Sequence, residues 1–183
     1  MKKVEHGKTF DRNAANPPAF EIFHNTVTEG YPKHWHTAIE IIMPTRGEYE
    51  VVVGKDSYNL KEGDIIMINS GVVHGMRFVS QGERIVMLVE PGCVENQEEM
   101  ETIFLRLPAI YFKKEDEEDP FYLFLRSQIL ELVREYDNEG AVMTHRICTG
   151  LKELFSEFGR KGFSDANAQN TFGAMKQQEY IEA

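Results

Sequence analysis

Positive charge is scarce in this sequence. Its 20 lysines and arginines stand against 30 aspartates and glutamates, so the formal net charge is −10. Contacts with phosphates dominate the affinity of proteins for nucleic acids, and an acidic chain without a basic stripe is therefore a poor DNA binder. We expect no DNA contact from these 183 residues themselves.

Cysteines and long apolar runs are also scarce. The two cysteines, Cys93 and Cys148, lie far apart and form no Cys-x-x-Cys motif, which favours free thiols in a reducing cytoplasm. After Met1-Lys2-Lys3 the chain is polar, and no apolar run approaches the roughly 20 residues of a membrane-spanning helix. We therefore predict a cytoplasmic protein that has no signal peptide and no membrane partner.

Short strand-like runs separated by glycine-containing turns fill residues 19–90. One run extends from His36 to Met43, where Pro44 and Gly47 are expected to break it, and Tyr49–Val53 alternates like a strand with one buried face. Many short strands at close spacing favour a sandwich or a barrel. A chain of 183 residues is long enough for one domain with a proper core and a helical appendage.

The most informative stretch runs from His34 to Glu40. Side chains alternate between the two faces of a strand, so His34 and His36 are predicted to point the same way, and Glu40 joins them if the strand continues. Trp35 then lies on the opposite face. Two imidazoles and one carboxylate suit a borderline divalent metal and leave coordination positions open.

A third histidine, His74, closes a second strand-like run and is expected to come from the opposite wall of the barrel. The candidate ligands of a divalent metal (Zn, Ni, Fe or Mn) are then His34, His36, Glu40 and His74. Strand alternation puts Met76 and Phe78 on the face of His74. The predicted ligand-binding residues are His34, His36, Glu40, Tyr49, His74, Met76 and Phe78.

Two interpretations of these polar groups that involve no metal remain open. Imidazoles and a carboxylate inside an apolar barrel can hydrogen-bond a sugar or a small acid. Alternatively, the four side chains only hydrogen-bond one another at the barrel mouth. Arg77 and Arg84 are interpreted as solvated charges at the rim, and steering of an anionic effector is the alternative for them.

The sequence changes character at Pro91-Gly92, and everything after it is predicted to be helical. Residues Glu95–Leu107 open acidic and end basic, which complements the dipole of a helix, and Pro108 stops this helix. The expected architecture is therefore a β domain followed by helices, which is α+β overall.

Two amphipathic helices are predicted next, because apolar residues recur at helical spacing through residues 120–137 and again through 141–158. Joined by the short turn Asn138–Gly140, they form an antiparallel hairpin. We expect one apolar face of this hairpin to form a homodimer. The simpler alternative is that both helices pack on the barrel, and the two interpretations are compatible.

Both ends of the chain are read as connecting segments. Residues 1–19 contain Asn16-Pro17-Pro18, which forbids regular structure and predicts a flexible or wrapping arm. After a break rich in glycine, serine and asparagine, residues 168–183 start a helix that meets no termination signal. We expect the natural protein to continue beyond Ala183.

The spacing of the candidate ligands resembles two motifs of the cupin family. His34-x-His36-x3-Glu40-x6-Gly47 resembles the first motif, and Gly63-x5-Asn69-x-Gly71-x2-His74 resembles the second. The sequence departs from the second motif at Asn69, where proline is usual, and at Phe78, where asparagine is usual. All four metal-ligand positions are present. The resemblance implies an all-β cupin, which is a small β-barrel or jelly roll with an inward-facing pocket.

The order of parts resembles the N-terminal sensor half of AraC/XylS-type transcription regulators along nearly the whole chain. An arm, the cupin motifs and a helix pair precede a last helix that ends in Tyr180-Ile181-Glu182-Ala183. In that family, a helix with a Tyr-Ile pair leads into a DNA-binding unit with two helix-turn-helix motifs. The resemblance implies a barrel that binds a small-molecule effector, a homodimer through helices 120–137 and 141–158, and a DNA-binding domain beyond Ala183.

The expected organisation has three parts. Residues 1–92 form the arm and the cupin β-barrel, 93–160 form a helical dimerisation region, and 161–183 form a linker with the start of a helix. A C-terminal antiparallel α-helical hairpin thus follows an all-β cupin.

Two other functional classes remain open. A metal-dependent cupin enzyme of the dioxygenase, isomerase or decarboxylase type would hold its metal with the three histidines and Glu40. No acid–base partner is evident beyond these ligands, and a free-standing enzyme has no need of the helix pair, so a non-catalytic regulator is preferred. A storage or structural cupin with an empty pocket is the third class.

Overall fold

The structure is a computed structural model that describes residues 19–27, 29–93, 108–114, 118–138 and 140–161. Three predicted features lie wholly or almost wholly outside the described residues. They are the N-terminal arm, the helix Glu95–Leu107 and the final helix 168–183.

Two antiparallel sheets form the β part of the described chain. The strands are β1 (Phe20–Val27), β2 (Tyr31–His34), β3 (Ile39–Arg46), β4 (Tyr49–Val53), β5 (Asp56–Leu60), β6 (Ile65–Ile68), β7 (His74–Phe78), β8 (Gly82–Val89) and β9 (Ala109–Phe112). The five-stranded sheet has the order β1-β8-β3-β6-β9, and the four-stranded sheet has the order β2-β7-β4-β5. This cupin-like arrangement confirms the predicted fold class.

Strand β3 does not break at Pro44, as the sequence suggested, but continues to Arg46. Its pairing with β6 covers only Glu40 to Ile42, so the missing N–H of Pro44 removes no hydrogen bond from that ladder. The pairing with β8 becomes irregular between Pro44 and Arg46. Proline is tolerated in strands at such irregularities.

Strand β9 corrects the prediction that the chain is helical throughout after Pro91-Gly92. It pairs with β6 and forms the edge of the five-stranded sheet. A run of four residues is too short to show a period, which is why the sequence gave no indication of it. The carboxylate of Asp64 holds β9 at this edge, because it accepts hydrogen bonds from the Tyr111 hydroxyl (2.6 Å) and the Lys114 backbone N–H (2.8 Å).

Two helices follow, as predicted: α1 (Pro120–Asp137) and α2 (Met143–Lys161). Helix α1 begins where the Asp119 carboxylate accepts a hydrogen bond from the Phe121 N–H at 2.9 Å. The helices run antiparallel and approach closely at Gly150, where a Cβ would lie 2.9 Å from a methyl carbon of Leu132. Glycine therefore permits this close packing.

The two faces of the five-stranded sheet belong to two separate hydrophobic clusters. The outer cluster joins the sheet to both helices and includes Ile39, Ile41, Met43, Ile65, Met67, Ile85, Met87, Tyr122, Leu125, Ile129, Leu132, Ile147, Leu151, Leu154, Phe155 and Phe158. The inner cluster lies between the sheets and includes Ala38, Ile42, Val51, Val53, Leu60, Ile66, Ile68, Met76, Val86, Leu88 and Ala109. Burial on both faces explains the nearly continuous apolar sequences of β3, β6 and β8.

The helix pair thus packs on the barrel, which was the simpler of the two interpretations of its apolar faces. Tyr122, Leu125, Ile129 and Leu132 of α1 all belong to the outer cluster. Neither described helix has the length and apolar character needed to cross a membrane.

Candidate metal and effector site

The four predicted ligands come together at one end of the barrel. One nitrogen or oxygen atom from each of His34, His36, Glu40 and His74 lies within 4.8 Å of the other three. His36, Glu40 and His74 are buried, while His34 is half-buried at the mouth. The cluster is therefore closed on its inner side and reachable from outside past His34.

The strands that carry these residues differ from the prediction. His34 ends β2 and lies directly opposite His74 of β7 in the same four-stranded sheet. Glu40 comes from β3 in the other sheet, and His36 lies in the connection between β2 and β3. The single strand expected for His34, His36 and Glu40 was thus wrong, whereas the opposite wall expected for His74 holds relative to Glu40 but not relative to His34. The chain crosses between the sheets inside the motif, so the site spans both sheets.

A turn in the second motif holds the two halves of the site together. The Gly71 N–H donates a hydrogen bond to the His36 carbonyl oxygen at 2.9 Å. Gly71 has a φ of 74°, in the left-handed region that favours glycine. The Asn69 side-chain oxygen accepts a hydrogen bond from the Ser70 N–H at 2.7 Å. Asn69 therefore shapes the turn in place of the usual proline.

Each of the three imidazoles is oriented by a backbone carbonyl. The Nδ1 atoms lie at hydrogen-bonding distance from the carbonyl oxygens of Pro32 (3.0 Å, His34), Ala38 (2.9 Å, His36) and Val72 (2.8 Å, His74). A carbonyl oxygen only accepts, so we assign the proton to Nδ1 in each ring. Nε2 then faces the cluster: it donates to Glu40 where the ring carries a second proton, and it is free to bind a metal where the ring carries only the Nδ1 proton.

The Glu40 carboxylate is the electrostatic centre of the cluster. Its Oε2 atom lies 2.8 Å from His74 Nε2 and 3.1 Å from His36 Nε2. Burial alone raises the pKa of Glu40, but hydrogen bonds from His36 and His74 outweigh burial and hold this pKa far below its usual range. Glu40 is therefore ionised at neutral pH.

The pKa values of His74 and His34 are shifted in opposite directions. Burial opposes the charged form of His74, but its hydrogen bond with Glu40 and the charge of Glu40 prevail and raise the pKa of His74. Burial, followed by the charge of His74, lowers the pKa of His34. The neutral ring at the mouth is thus ready to bind a cation at neutral pH.

The donor set fits a divalent cation. Three Nε2 atoms and one carboxylate oxygen are ligands that Zn²⁺, Ni²⁺, Fe²⁺ and Mn²⁺ accept. Metal–ligand distances of about 2.0–2.2 Å separate opposite ligands by about 4 Å. The separations of at most 4.8 Å found here are therefore close to those of a bound ion. His34, His36, Glu40 and His74 would hold it.

The other predicted ligand-binding residues are spread along the barrel. Tyr49 and Phe78 are partners across β4 and β7, while His74 pairs with Val53 four residues away. At about 3.4 Å per residue, this offset is about 14 Å. Met76 and Tyr49 are buried, whereas Phe78 is 46% exposed. The structure therefore brings the four metal-ligand candidates together and places Tyr49 and Phe78 at the far end.

Arg84 is a site residue that the sequence reasoning missed. It was interpreted as a solvated rim charge, and this was wrong because only 8% of Arg84 is exposed. Its guanidinium carbon lies 5.6 Å from the centre of the Tyr49 ring, and Nη1 contacts the sulfur of Met76. Burial lowers the pKa of Arg84, and the charge of Glu40 opposes this. Arg84 is in register with Val86 and Leu88, which face the interior, but the equally apolar residues between them hide this alternation in the sequence.

The match to a protein-family model agrees with this architecture. Residues 25–90 match the family model described as Cupin domain. A search of curated proteins finds no match. A cupin-2 domain containing protein from Shewanella frigidimarina matches 42% of this chain and 76% of its own, with 16% identity and a TM-score of 0.37.

Two structures of ToxT from Vibrio cholerae match a larger part of the chain. The apo form of a ToxT variant covers 86% of this chain and 59% of its own, with 12% identity and a TM-score of 0.53. A second ToxT structure covers 78% and 57%, with 11% identity and a TM-score of 0.51. This chain thus spans less than two thirds of ToxT, and identities this low show a shared fold alone. The fold of the described chain is thus cupin-like, and a helix pair is joined to it.

Proposed function

We propose that this chain is the effector-sensing and dimerisation part of an AraC-type transcription regulator. Its barrel binds a small molecule, together with a divalent metal, and does not catalyse a reaction. The observation that carries the proposal is the double role of β3. Glu40 of this strand belongs to the polar cluster, and Ile39 and Ile41 pack in the outer cluster with the helices.

The double role of β3 gives a direct route from effector to helices. A molecule that displaces Glu40 acts on a strand whose opposite face supports both helices. A ligand shifts such an equilibrium only by its differential affinity for the two states. In this proposal, the effector binds more tightly to one arrangement of the helices on the sheet. Binding therefore changes the spacing of the downstream DNA-binding units.

The fold match and the sequence resemblance support the regulator class. ToxT is an AraC-family regulator, and its structural match includes most of this chain. The proposal assigns DNA recognition to residues beyond Ala183, because the acidic chain here offers no basic stripe. Determining the DNA sequence after the codon for Ala183 tests this assignment. A reading frame that ends there without a helix-turn-helix unit would contradict it.

Of the two effector classes considered, the buried Arg84 favours a small carboxylic acid over a sugar. A guanidinium offers a planar fork of donors that matches a carboxylate. Arg84 lies among interior side chains, beside Tyr49 and Met76, so an acid bound in the barrel would meet it. A divalent cation bound at the other end would supply a second attraction for an anionic group.

A thermal-shift experiment tests the effector class. The probes are acetate, succinate and benzoate, with glucose and arabinose as uncharged comparisons, all at the same ionic strength. We expect the acids, and not the sugars, to raise the melting temperature. Arg84→Met should remove the response while circular dichroism shows an intact fold. Equal responses of the wild type and Arg84→Met to the acids would refute this role of Arg84.

The proposed homodimer uses the apolar positions that the helices leave exposed. Leu123 (51% exposed) and Leu130 (37% exposed) lie seven residues apart on α1, and therefore on one face. The double variant Leu123→Glu/Leu130→Glu is expected to sediment as a monomer where the wild type sediments as a dimer. A dimer of unchanged stability in the variant would exclude this face.

A metal-dependent cupin enzyme is the second candidate, because three histidines and one glutamate can hold a metal with open coordination positions. The cupin fold itself is compatible with either class. Oxygen consumption by the Fe²⁺-loaded protein, with the same acids as substrates, separates them. The regulator proposal predicts no consumption beyond one equivalent per chain, and sustained consumption that His74→Ala abolishes would favour the enzyme.

A further inference from the structure

The two cysteines meet at the junction between the barrel and helix α2. Cys93 ends a 3-10 helix, Pro91–Cys93, that directly follows β8, and Cys148 lies in α2. Both residues are free thiols and half-buried, and their sulfur atoms are 3.4 Å apart. The sequence has two cysteines in total, so this contact includes every thiol of the chain.

Little movement separates these thiols from a covalent bond. A disulfide bond is about 2.05 Å long, so the sulfur atoms need to approach by roughly 1.3 Å. The backbone on each side is already held. The Cys93 N–H donates to the Glu90 carbonyl oxygen at 2.9 Å, and Ile147, the neighbour of Cys148, is fully buried. With the backbone held on both sides, the approach has to come mainly from rotation of the two side chains.

We propose that Cys93 and Cys148 are a modification site, at which a peroxide forms a reversible disulfide bond between the barrel and helix α2. The free thiols expected from the sequence are then the reduced form of this site. The proposal does not depend on the function suggested above, because it concerns the junction and not the barrel interior.

The reaction with hydrogen peroxide balances in two steps. One sulfur attacks an oxygen of the peroxide, the O–O bond breaks, and a sulfenic acid and one water form. The second sulfur then attacks the sulfenic sulfur, the S–S bond forms, the S–O bond breaks, and the oxygen leaves as a second water with the proton of the second thiol. Two thiols lose two electrons in total, and one peroxide gains them.

The surroundings of Cys93 keep its thiol protonated. Burial, and then the contact with Cys148, raises the pKa of Cys93 to about 12. Cys93 therefore keeps its proton at neutral pH, and a thiol is a much weaker nucleophile than a thiolate.

The bond would tie the end of β8 to the middle of the helix pair. It closes a loop between residues that are 55 positions apart. Cross-linking a loop of this size stabilises a protein mainly by restricting its unfolded state. For a domain of this length, the oxidised form is expected to melt roughly 4–16 °C above the reduced form. The helix pair could then no longer separate from the sheet at this point.

The test uses the full 183-residue chain, reduced, freed of reductant and treated with hydrogen peroxide. Titration of thiols in denaturant should show that both thiols disappear together. Non-reducing peptide mapping by mass spectrometry should find Cys93 linked to Cys148 within one chain. The melting temperature should rise as stated, and dithiothreitol should restore both thiols and the original melting temperature.

The single variants Cys93→Ser and Cys148→Ser are the matched controls. Reduced, each should melt close to the reduced wild type, and after peroxide neither should gain thermal stability. If a serine variant fails to fold, the wild-type peptide map decides alone. A linkage between two chains, or sulfinic acid at one cysteine without any linkage, would overturn the proposal.

Discussion

The inner and outer clusters lie on opposite faces of one sheet, yet only the inner face carries buried charge. Five polar or charged residues are buried in the described part of the chain: His36, Glu40, Asp64, His74 and Arg84. All but Asp64 belong to the barrel interior. The outer cluster, by contrast, is built from apolar side chains and from Tyr122, whose hydroxyl donates to the Gly63 carbonyl at 2.8 Å.

This difference separates stability from function within a single sheet. Burying a charged group costs free energy unless it is paired, and well-packed apolar residues of similar volume are often at least as stabilising. The polar groups of the inner face are therefore not explained by stability, whereas the outer cluster is. Substitutions on the outer face should accordingly change mainly stability, and substitutions on the inner face should change mainly binding.

The largest effect on stability is expected in the outer cluster. Phe155→Ala removes a fully buried ring between α2 and the sheet, and it should lower the free energy of unfolding by about 3–5 kcal/mol. Urea denaturation measures this loss. Val79→Ala, at a position that is 50% exposed, is the control and should change stability by less than about 0.5 kcal/mol. A loss below about 1 kcal/mol for Phe155→Ala would refute the structural role of this cluster.

A smaller loss is expected at Asp64, the one buried acid outside the site. Its carboxylate accepts hydrogen bonds from the N–H groups of Lys61 and Lys114 and from the Tyr111 hydroxyl. Asp64→Ala should lower the free energy of unfolding by about 2–4 kcal/mol, since three donors lose a charged and buried partner. Metal affinity should stay unchanged, as isothermal titration with ZnCl₂ can show. A large loss of zinc affinity in Asp64→Ala would contradict the distinction between Asp64 as a structural acid and Glu40 as a metal-binding acid.

Metal addition should stabilise the protein through the inner face alone. Zn²⁺ at about 100 times its dissociation constant should add about 2.7 kcal/mol to the free energy of unfolding. Glu40→Gln and His74→Ala should each reduce this gain, and chelation with EDTA should remove it. The Phe155→Ala variant, although less stable than the wild type, should still gain the same free energy of unfolding from Zn²⁺. If all variants gain equally, the ion binds elsewhere.

The smallest effect is the pH dependence of the metal-free protein. The pKa of Glu40 is lowered in the folded state, so its contribution is present above its ordinary value of 4.5 and is lost as pH falls through the folded value. The pKa of His74 is raised, so its contribution is complete below 6.5 and is lost as pH rises through the folded value. The pair therefore stabilises most between about pH 4.5 and 6.5.

Chemical denaturation of the metal-free wild type and of Glu40→Gln, at several pH values, measures this window. The wild type should exceed the variant most near pH 5.5 and least at alkaline pH. A difference that grows from pH 6 to pH 9 would show that His74 is not the partner of Glu40. The pKa of His34 also differs between the two proteins, because the charge of Glu40 opposes its lowering and is absent from Glu40→Gln.

The sequence predicted which four polar side chains meet better than it predicted the strands that hold them. The spacing of His34, His36, Glu40 and His74 led to the four-residue cluster, although the argument from a single strand was wrong. The spacing is informative even though the strands were assigned wrongly, because it records which positions bring a side chain to the site. The crossing between the sheets after His34 depends instead on contacts with β7, which the spacing does not show. Helices α1 and α2 were predicted because 18 and 19 residues are long enough for a period to be visible.

Arg84 and β9 show where a local pattern has no information. Strand β8 is buried on both faces, so alternation cannot distinguish an interior arginine from one at the rim. The burial of Arg84 depends on Tyr49 and Met76, which come from other strands. Strand β9 is defined by its pairing with β6, and pairing between distant segments is invisible in four residues.

The late arrival of β9 has a consequence for synthesis on the ribosome. Residues 25–90 contain both cupin motifs, but β6 remains an open edge until Ala109–Phe112 pairs with it. At 5–20 residues per second, the 23 residues from Val89, the end of β8, to Phe112 take roughly 1–5 s to translate. For those seconds, a newly made barrel offers bare backbone N–H and C=O groups to neighbouring chains. The protein is therefore most exposed to mispairing while its binding site is already encoded and its last strand is still being made.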